Sequence, residues 1–199
     1  MTEMENENQN ENETKKKVCE IIKNYLAEHH DEHHIYEYTQ HENDQFACRV
    51  SGIVGSPFVE LYLNIMVYDT CIVSECKLPI HANPEVYADV TEYFMRINNI
   101  TTKGALLLDY DSGIMRHEIC FDNAMLLYND EDREFAISYL LSIGSMLIHR
   151  IGATLAAILF GGKNGKTIKE LFEAPIADSE EDDEDYYDDE NADSGEAEE

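Results

Sequence analysis

The chain has 199 residues, 43% of them hydrophobic, and carries 42 Asp and Glu against 14 Lys and Arg, for a formal charge of −28. That length holds one domain with tails rather than two domains. The charge excludes direct nucleic-acid binding, because that affinity comes mainly from Lys and Arg replacing condensed counterions. Much of the acid lies at the ends: residues 1–14 contain five Glu and no Lys or Arg, and Asp178–Glu199 contain fourteen acids and no base. Such segments cannot bury enough apolar surface to offset their ordering entropy. Residues 1–14 and 173–199 are therefore expected to be disordered acidic tails around a single domain of residues 15–172.

In chain order, Val18, Ile21, Ile22, Tyr25 and His29 recur at three- and four-residue spacing, which predicts a short docking helix across Lys15–Glu28. From Ile35 the period falls to two. Phe46, Cys48 and Val50 alternate with Ala47, Arg49 and Ser51, and GIVGSP supplies turn residues. Phe58–Tyr68 puts Val59, Leu61, Leu63, Ile65 and Val67 on one aliphatic face, the pattern of a strand with one side in the core. CIVSECKLP then returns antiparallel, with Pro79 expected to end it by withholding a ladder donor.

Asn83-Pro84-Glu85 reads as a helix start, with a capping side chain, a proline at the first position and an acid in the first turn. Val86, Val90, Tyr93, Phe94 and Ile97 follow on one face, and Asn98-Asn99 suit a stop. GALLLDYDSGIMRHEICF divides at Asp111-Ser112-Gly113 into two strands of a hairpin. The last element opens at Asn129-Asp130 and runs apolar from Phe135 to Phe160. Its length invites a membrane reading, but His149-Arg150 fall near its middle, where an arginine costs about 2.5–3.5 kcal/mol. A helix buried by the sheet and by a second subunit is expected instead, with no membrane partner. Small residues at Gly144, Ser145, Gly152 and Ala156 permit close approach, and Gly144, Ile148, Ile151 and Leu155 are the expected dimer or partner face.

GGKNGKT at residues 161–167 resembles a phosphate-binding loop, but its first glycine is one place too close and a long apolar helix, not a strand, precedes it. Gly161-Gly162 read better as a helix stop, with Lys163, Lys166 and Lys169 beside the negative end of the helix dipole. HHDEHH at residues 29–34 spaces His29 and His33 at i, i+4, which suits two imidazoles on one metal if the first helix continues that far. Two ligands do not close a site, and no metal or other cofactor is expected. DYDSG lacks the glycine and glutamate positions of a calcium loop and is read as the hairpin turn. No nucleophile with a base in a recognisable frame is present, so no catalytic residue is assigned.

Five cysteines, without a C-x-x-C pair, suit free and mostly buried thiols in a reducing compartment. Cys71 and Cys76, five apart, would point to opposite faces of one strand. No apolar run follows a basic segment at the N-terminus, so no export signal is visible and a cytoplasmic location is expected.

The order of elements, taken with YADVTEYFMRINNITTKGALLLDYDSGIMRHEICF at residues 87–121, resembles the YbjN-domain family, described as bacterial sensory-transduction regulators. The matching features are the helix ending in Arg96-Ile97-Asn98, the G-x-x-x-x-D strand from Gly104 to Asp109, and the hairpin Asp111-x-Gly113-x-x-Arg116. The likeness spans roughly Lys17–Phe160 and leaves the acidic tails and the His-rich insert unexplained. It implies an α+β fold similar to type III secretion chaperones, an antiparallel sheet flanked by helices, homodimeric and without catalytic residues. The function it implies is a non-enzymatic protein-interaction domain with a regulatory or chaperone-like role, holding another protein chain. The alternative is a small-ligand or metal-sensing regulatory domain, with His29 and His33 as its testable ligands.

Overall fold

The computed structural model describes residues 3–42, 44–52 and 56–174. Helix α1 (Glu3–His29) leads through a 3-10 turn (His30–His33) into β1 (Ile35–His41), β2 (Gln45–Ser51), β3 (Glu60–Val67) and β4 (Cys71–His81). A second 3-10 turn (Pro84–Val86) opens α2 (Tyr87–Asn98), followed by the hairpin β5 (Ala105–Leu108) and β6 (Ile114–Asp122). Three helices complete it: α3 (Ala124–Leu127), α4 (Asp130–Leu159) and α5 (Ile168–Glu173).

The strands form one antiparallel sheet in the order β1-β2-β3-β4-β6-β5. Period-two alternation fixes which residues share a face. Phe46 pairs with Ile65, Cys48 with Leu63, Val50 with Leu61, Ile72 with Phe121 and Cys76 with His117, and all of these side chains are buried. The helices pack on that face. Val18, Ile22 and Leu26 of α1 and Ile137, Leu140, Leu141, Ile148, Leu155 and Ile158 of α4 enter the same core, as do Val90 and Phe94 of α2, which lies beside β5. The expected α+β architecture is therefore present.

Four expectations change. α1 begins at Glu3, so the polar residues 3–14 extend the helix that Val18, Ile22 and Leu26 anchor. Residues 173 and 174 close α5, and the rest of the expected C-terminal tail lies outside the described residues. Val59 precedes β3 and is exposed, so the aliphatic face starts at Leu61. β4 runs through Pro79 to His81, because its ladder with β6 is interrupted between Lys77 and His81 and its pairing with β3 stops at Lys77. No partner there needs the missing N–H.

The largest correction concerns α4. Gly144, Ile148, Ile151 and Leu155, expected to face a second chain, are buried inside this one, with Ile148 and Leu155 at 0% exposure. A Cβ on Gly144 would collide with the Cβ of Cys76, so the glycine lets the helix lie directly on β4. The helix is long and apolar enough, by composition, to cross a membrane; here its apolar stripe is the lid of the sheet. Its outward side is marked by Phe135, Met146, Arg150 and Phe160.

The GGKNGKT segment is the helix stop the residues suggested. The Phe160 N–H donates to the Ala156 carbonyl at 2.9 Å and the Gly162 N–H to Ala157 at 2.8 Å, with Gly161 at φ +79° between them. The Lys163 ammonium pairs with Asp89 and ties this end to α2. Thr167 and Glu170 then cap one another to open α5.

Candidate protein-interaction surface

The residues that carry the family resemblance hold the frame. The Asn98 side chain donates to the Leu106 carbonyl at 3.0 Å and accepts from the Leu106 N–H at 2.8 Å, locking the end of α2 to β5. Asp109 accepts from the backbone N–H groups of Asp111 and Ser112, at 2.9 and 3.3 Å, across the hairpin turn that Gly113 completes. A hydrogen bond from the Ser112 side chain, with those two N–H bonds, holds its carboxyl below the usual range. Arg116 bridges Glu75 at 3.1 Å and Glu118 at 3.3 Å on the sheet. Gly104, at φ +73°, lies over the ring of His117.

His29 and His33 do not converge on a metal geometry. The α-helix ends at His29, and the 3-10 turn that follows breaks the i, i+4 relation. His29 Nδ1 lies 3.0 Å from Glu32, which raises the imidazole pKa, while His33 is buried with Nε2 3.2 Å from the Tyr25 hydroxyl. Among the described residues no group of three His, Cys, Asp or Glu could hold a metal ion.

Cys76 and His117 face each other across β4 and β6, a nucleophile and base by type. Both are 1% exposed. Burial pushes the Cys76 thiol up to about 12 and lowers the His117 imidazole, so packing keeps both neutral. The Lys103 backbone offsets this in part, and Nε2 of His117 has no hydrogen-bond partner among the described residues.

This has a measurable sign. A histidine whose folded pKa is depressed takes up its proton first in the unfolded chain, so its stabilisation is complete above the unfolded value of about 6.5 and declines as pH falls below it. Urea unfolding is expected to show stability dropping from pH 7.5 toward 5.5 by up to about 1.4 kcal/mol per pH unit for each such group. His33, also lowered by burial, contributes with the same sign, and His29 with the opposite one. In His117→Leu the slope should flatten while the fold is retained, because the replacement removes an unpartnered polar atom. An unchanged slope would mean that the folded chain protonates this ring freely.

Two surfaces remain. The sheet face away from the helices carries rows set by register, among them Glu37, Arg49, Tyr62, Lys77, Arg116 and Leu107. Its cations are already engaged: Arg49 with Glu37 at 3.1 Å and Glu60 at 3.3 Å, Lys77 with Glu75 at 2.7 Å, and Arg116 as described. It is a self-neutralised face.

The second surface differs. Between the end of α2, the α2–β5 loop and α4 runs a groove of about 290 Å³ with Ile97, Ile100, Tyr139, Ile143 and Leu147 along its walls and Lys103 and Arg150 at its rim. Lys103 Nζ sits 5.2 Å from the Tyr139 ring centroid and 5.6 Å from that of Phe121. Neither Lys103 nor Arg150 has a carboxylate partner among the described residues. Tyr139 stacks on Phe135 at 6.1 Å, and Phe135 continues the apolar strip into a shallow depression formed with Met125 and Tyr128. Exposure is high along the strip: Ile100 69%, Phe135 69% and Tyr128 80%. The apolar period of α4 did not reveal this surface, which is assembled from three segments far apart in sequence.

A scan against protein-family models finds no match to the chain, and searches of curated proteins and of solved structures return none.

Proposed function

We propose that this domain is a non-enzymatic protein-interaction module, cytoplasmic, with a regulatory or chaperone-like role in which it holds a partner polypeptide along the α2–α4 groove. The observation that carries this reading is the strip from Ile100 past the half-buried Tyr139 and on through Phe135 to Tyr128, beside two cations that have no acidic partner among the described residues of a chain of charge −28. Large apolar side chains in one rimmed patch mark interaction sites. Aromatic residues with an adjacent cation supply the anchoring and the charge selection such sites use. The partner this chemistry fits is a segment with apolar side chains flanked by carboxylates. A second copy of the chain would meet the same strip, because the α4 face first expected to dimerise is occupied by the sheet. The resemblance to regulatory and secretion-chaperone-like proteins points the same way, as analogy.

Site-specific photocrosslinking in cells tests it. A crosslinking side chain at Phe135 is expected to capture a discrete polypeptide, whereas one at Thr39 on the opposite sheet face should not. Reversing the rim charges, Lys103→Glu with Arg150→Glu, should lower the captured yield about tenfold, equivalent to about 1.4 kcal/mol of binding free energy. Equal capture at both positions, or indifference to the rim reversal, would remove the basis for the proposal.

A further inference from the structure

The five cysteines divide sharply by environment. Cys19, Cys48 and Cys76 are buried in the core, where burial pushes their thiols up to about 11, about 12 and about 12. Cys71 is half-buried and Cys120 is exposed, and both lie on the sheet face that carries no helices. Their positions follow from register. Cys71 is opposite Asp122, and Val73 is opposite Cys120, so the two cysteines are diagonal neighbours on adjacent antiparallel strands. The Asn123 N–H donates to the Thr70 carbonyl at 3.0 Å, which makes the next two same-face rungs non-hydrogen-bonded pairs, the kind in which facing side chains come closest. The thiols also sense each other: after partial burial, the Cys71 side chain is the main influence holding Cys120 above the usual thiol range, ahead of Glu118 and Asp122.

We propose that Cys71 and Cys120 are a redox modification site, a dithiol that hydrogen peroxide closes into a reversible cross-strand disulfide. The small fraction of exposed Cys120 present as thiolate attacks one peroxide oxygen; the O–O bond breaks, the leaving hydroxide takes up the proton Cys120 had released to become water, and Cys120 is left as a sulfenic acid. The Cys71 thiolate then attacks that sulfur, the S–S bond forms and the S–O bond breaks, and the departing hydroxide takes up the proton Cys71 had released and leaves as a second water. Two thiols give up two electrons in all, and the peroxide accepts them.

Geometry supplies the reversibility. An ideal diagonal pair has Cα atoms about 7–8 Å apart, slightly beyond the roughly 4.4–6.8 Å of an unstrained disulfide. Closure therefore draws the start of β4 toward the end of β6. The pair sits at the strand ends, at the first residue of β4 and two residues before the end of β6. A bridge that is both strained and exposed is one that thiol reductants open readily, so in a reducing compartment it persists only under oxidant. The bridge would tighten the corner where Asn123 Nδ2 donates to the Tyr68 and Asp69 carbonyls, at 3.0 and 2.9 Å, just before α3. The site stands independently of the partner-binding reading.

The test uses the full chain, exposed to hydrogen peroxide, then denatured and alkylated, with peptides mapped by mass spectrometry. The expected result is that alkylatable thiols fall from five to three, with a single crosslinked peptide pair containing Cys71 and Cys120, and that dithiothreitol restores all five. Cys71→Ser and Cys120→Ser, both on the outer face, should fold normally and each lose the crosslink. Retention of five thiols, a disulfide between two chains through Cys120, or oxidation of Cys120 to a sulfinic acid with Cys71 untouched would each overturn the proposal.

Discussion

Leu155→Ala is expected to lower the free energy of unfolding by about 2–5 kcal/mol, the range for emptying a buried leucine site, and by the same amount at protein concentrations about a hundredfold apart. What covers Leu155 decides both. It is 0% exposed within a single chain, in one core with Ile148 and Ile158 of the same helix. A cavity opened there is internal to the monomer. Had the stripe through Gly144, Ile148, Ile151 and Leu155 been an interface between subunits, its loss would weaken association, and the cost would shrink on dilution as both proteins become monomeric. Urea unfolding at two concentrations decides between these. A concentration-dependent loss would place the stripe at a subunit contact after all, and a loss under about 1 kcal/mol would mean the site collapses or is open to water.

Gly104→Ala is expected to cost about 2–5 kcal/mol, well above Gly161→Ala at about 1–2 kcal/mol. Both glycines sit in the left-handed region, at φ +73° and +79°, so both substitutions incur the backbone penalty of an L-residue there. They differ in what a methyl group meets. At Gly161 nothing lies within 4 Å, whereas at Gly104 the added Cβ runs into Nε2 of His117 and comes within 2.8 Å of the Glu118 carbonyl oxygen. The imidazole cannot swing aside, since it is buried beneath α4, where a Cβ on Gly144 would lie 3.4 Å from its Nδ1. The difference between the two variants in thermal or urea unfolding therefore measures the steric part alone. Equal losses would show that the α2–β5 loop lifts to accept the methyl.

How much of this was legible in the residues depends on the range of the interaction that decides each feature. Strand β3 declared itself because Leu61, Leu63, Ile65 and Val67 alternate with a mixed set of neighbours, and the 3-10 turn that opens α2 and the start of α4 because Asn83 and Asn129 cap within three residues. These are local forces acting on local sequence. Helix α5 was equally local, with Thr167 and Glu170 in capping-box spacing. Its six residues are too few to set up an apolar period, so the cap spacing is its single local signal. Gly144 shows a different limit. A small residue on an apolar stripe announces that something comes close, but a period cannot say whether the neighbour belongs to the same chain. His117 alternates with Met115 and Ile119 as any core residue would, and only the helix above it makes its burial complete. The groove and the Cys71–Cys120 diagonal were out of reach for a stronger reason. Both require β6 to lie beside β4, and neither composition nor spacing encodes that neighbour.

That strand order also dictates how the molecule comes together. β1 through β4 pair successively, each with the strand just before it, so their loops are short and inexpensive to close. β6 reaches β4 only after α2 and β5 have been laid down between them, which makes this the long closure that completes assembly. During synthesis, a nascent chain not yet extended past Ile114 therefore displays the ladder of β4 from Cys71 to Lys77 as an unpaired edge. In that interval the protein is most open to joining the wrong strand, and its own β5–β6 hairpin is the segment that ends the exposure.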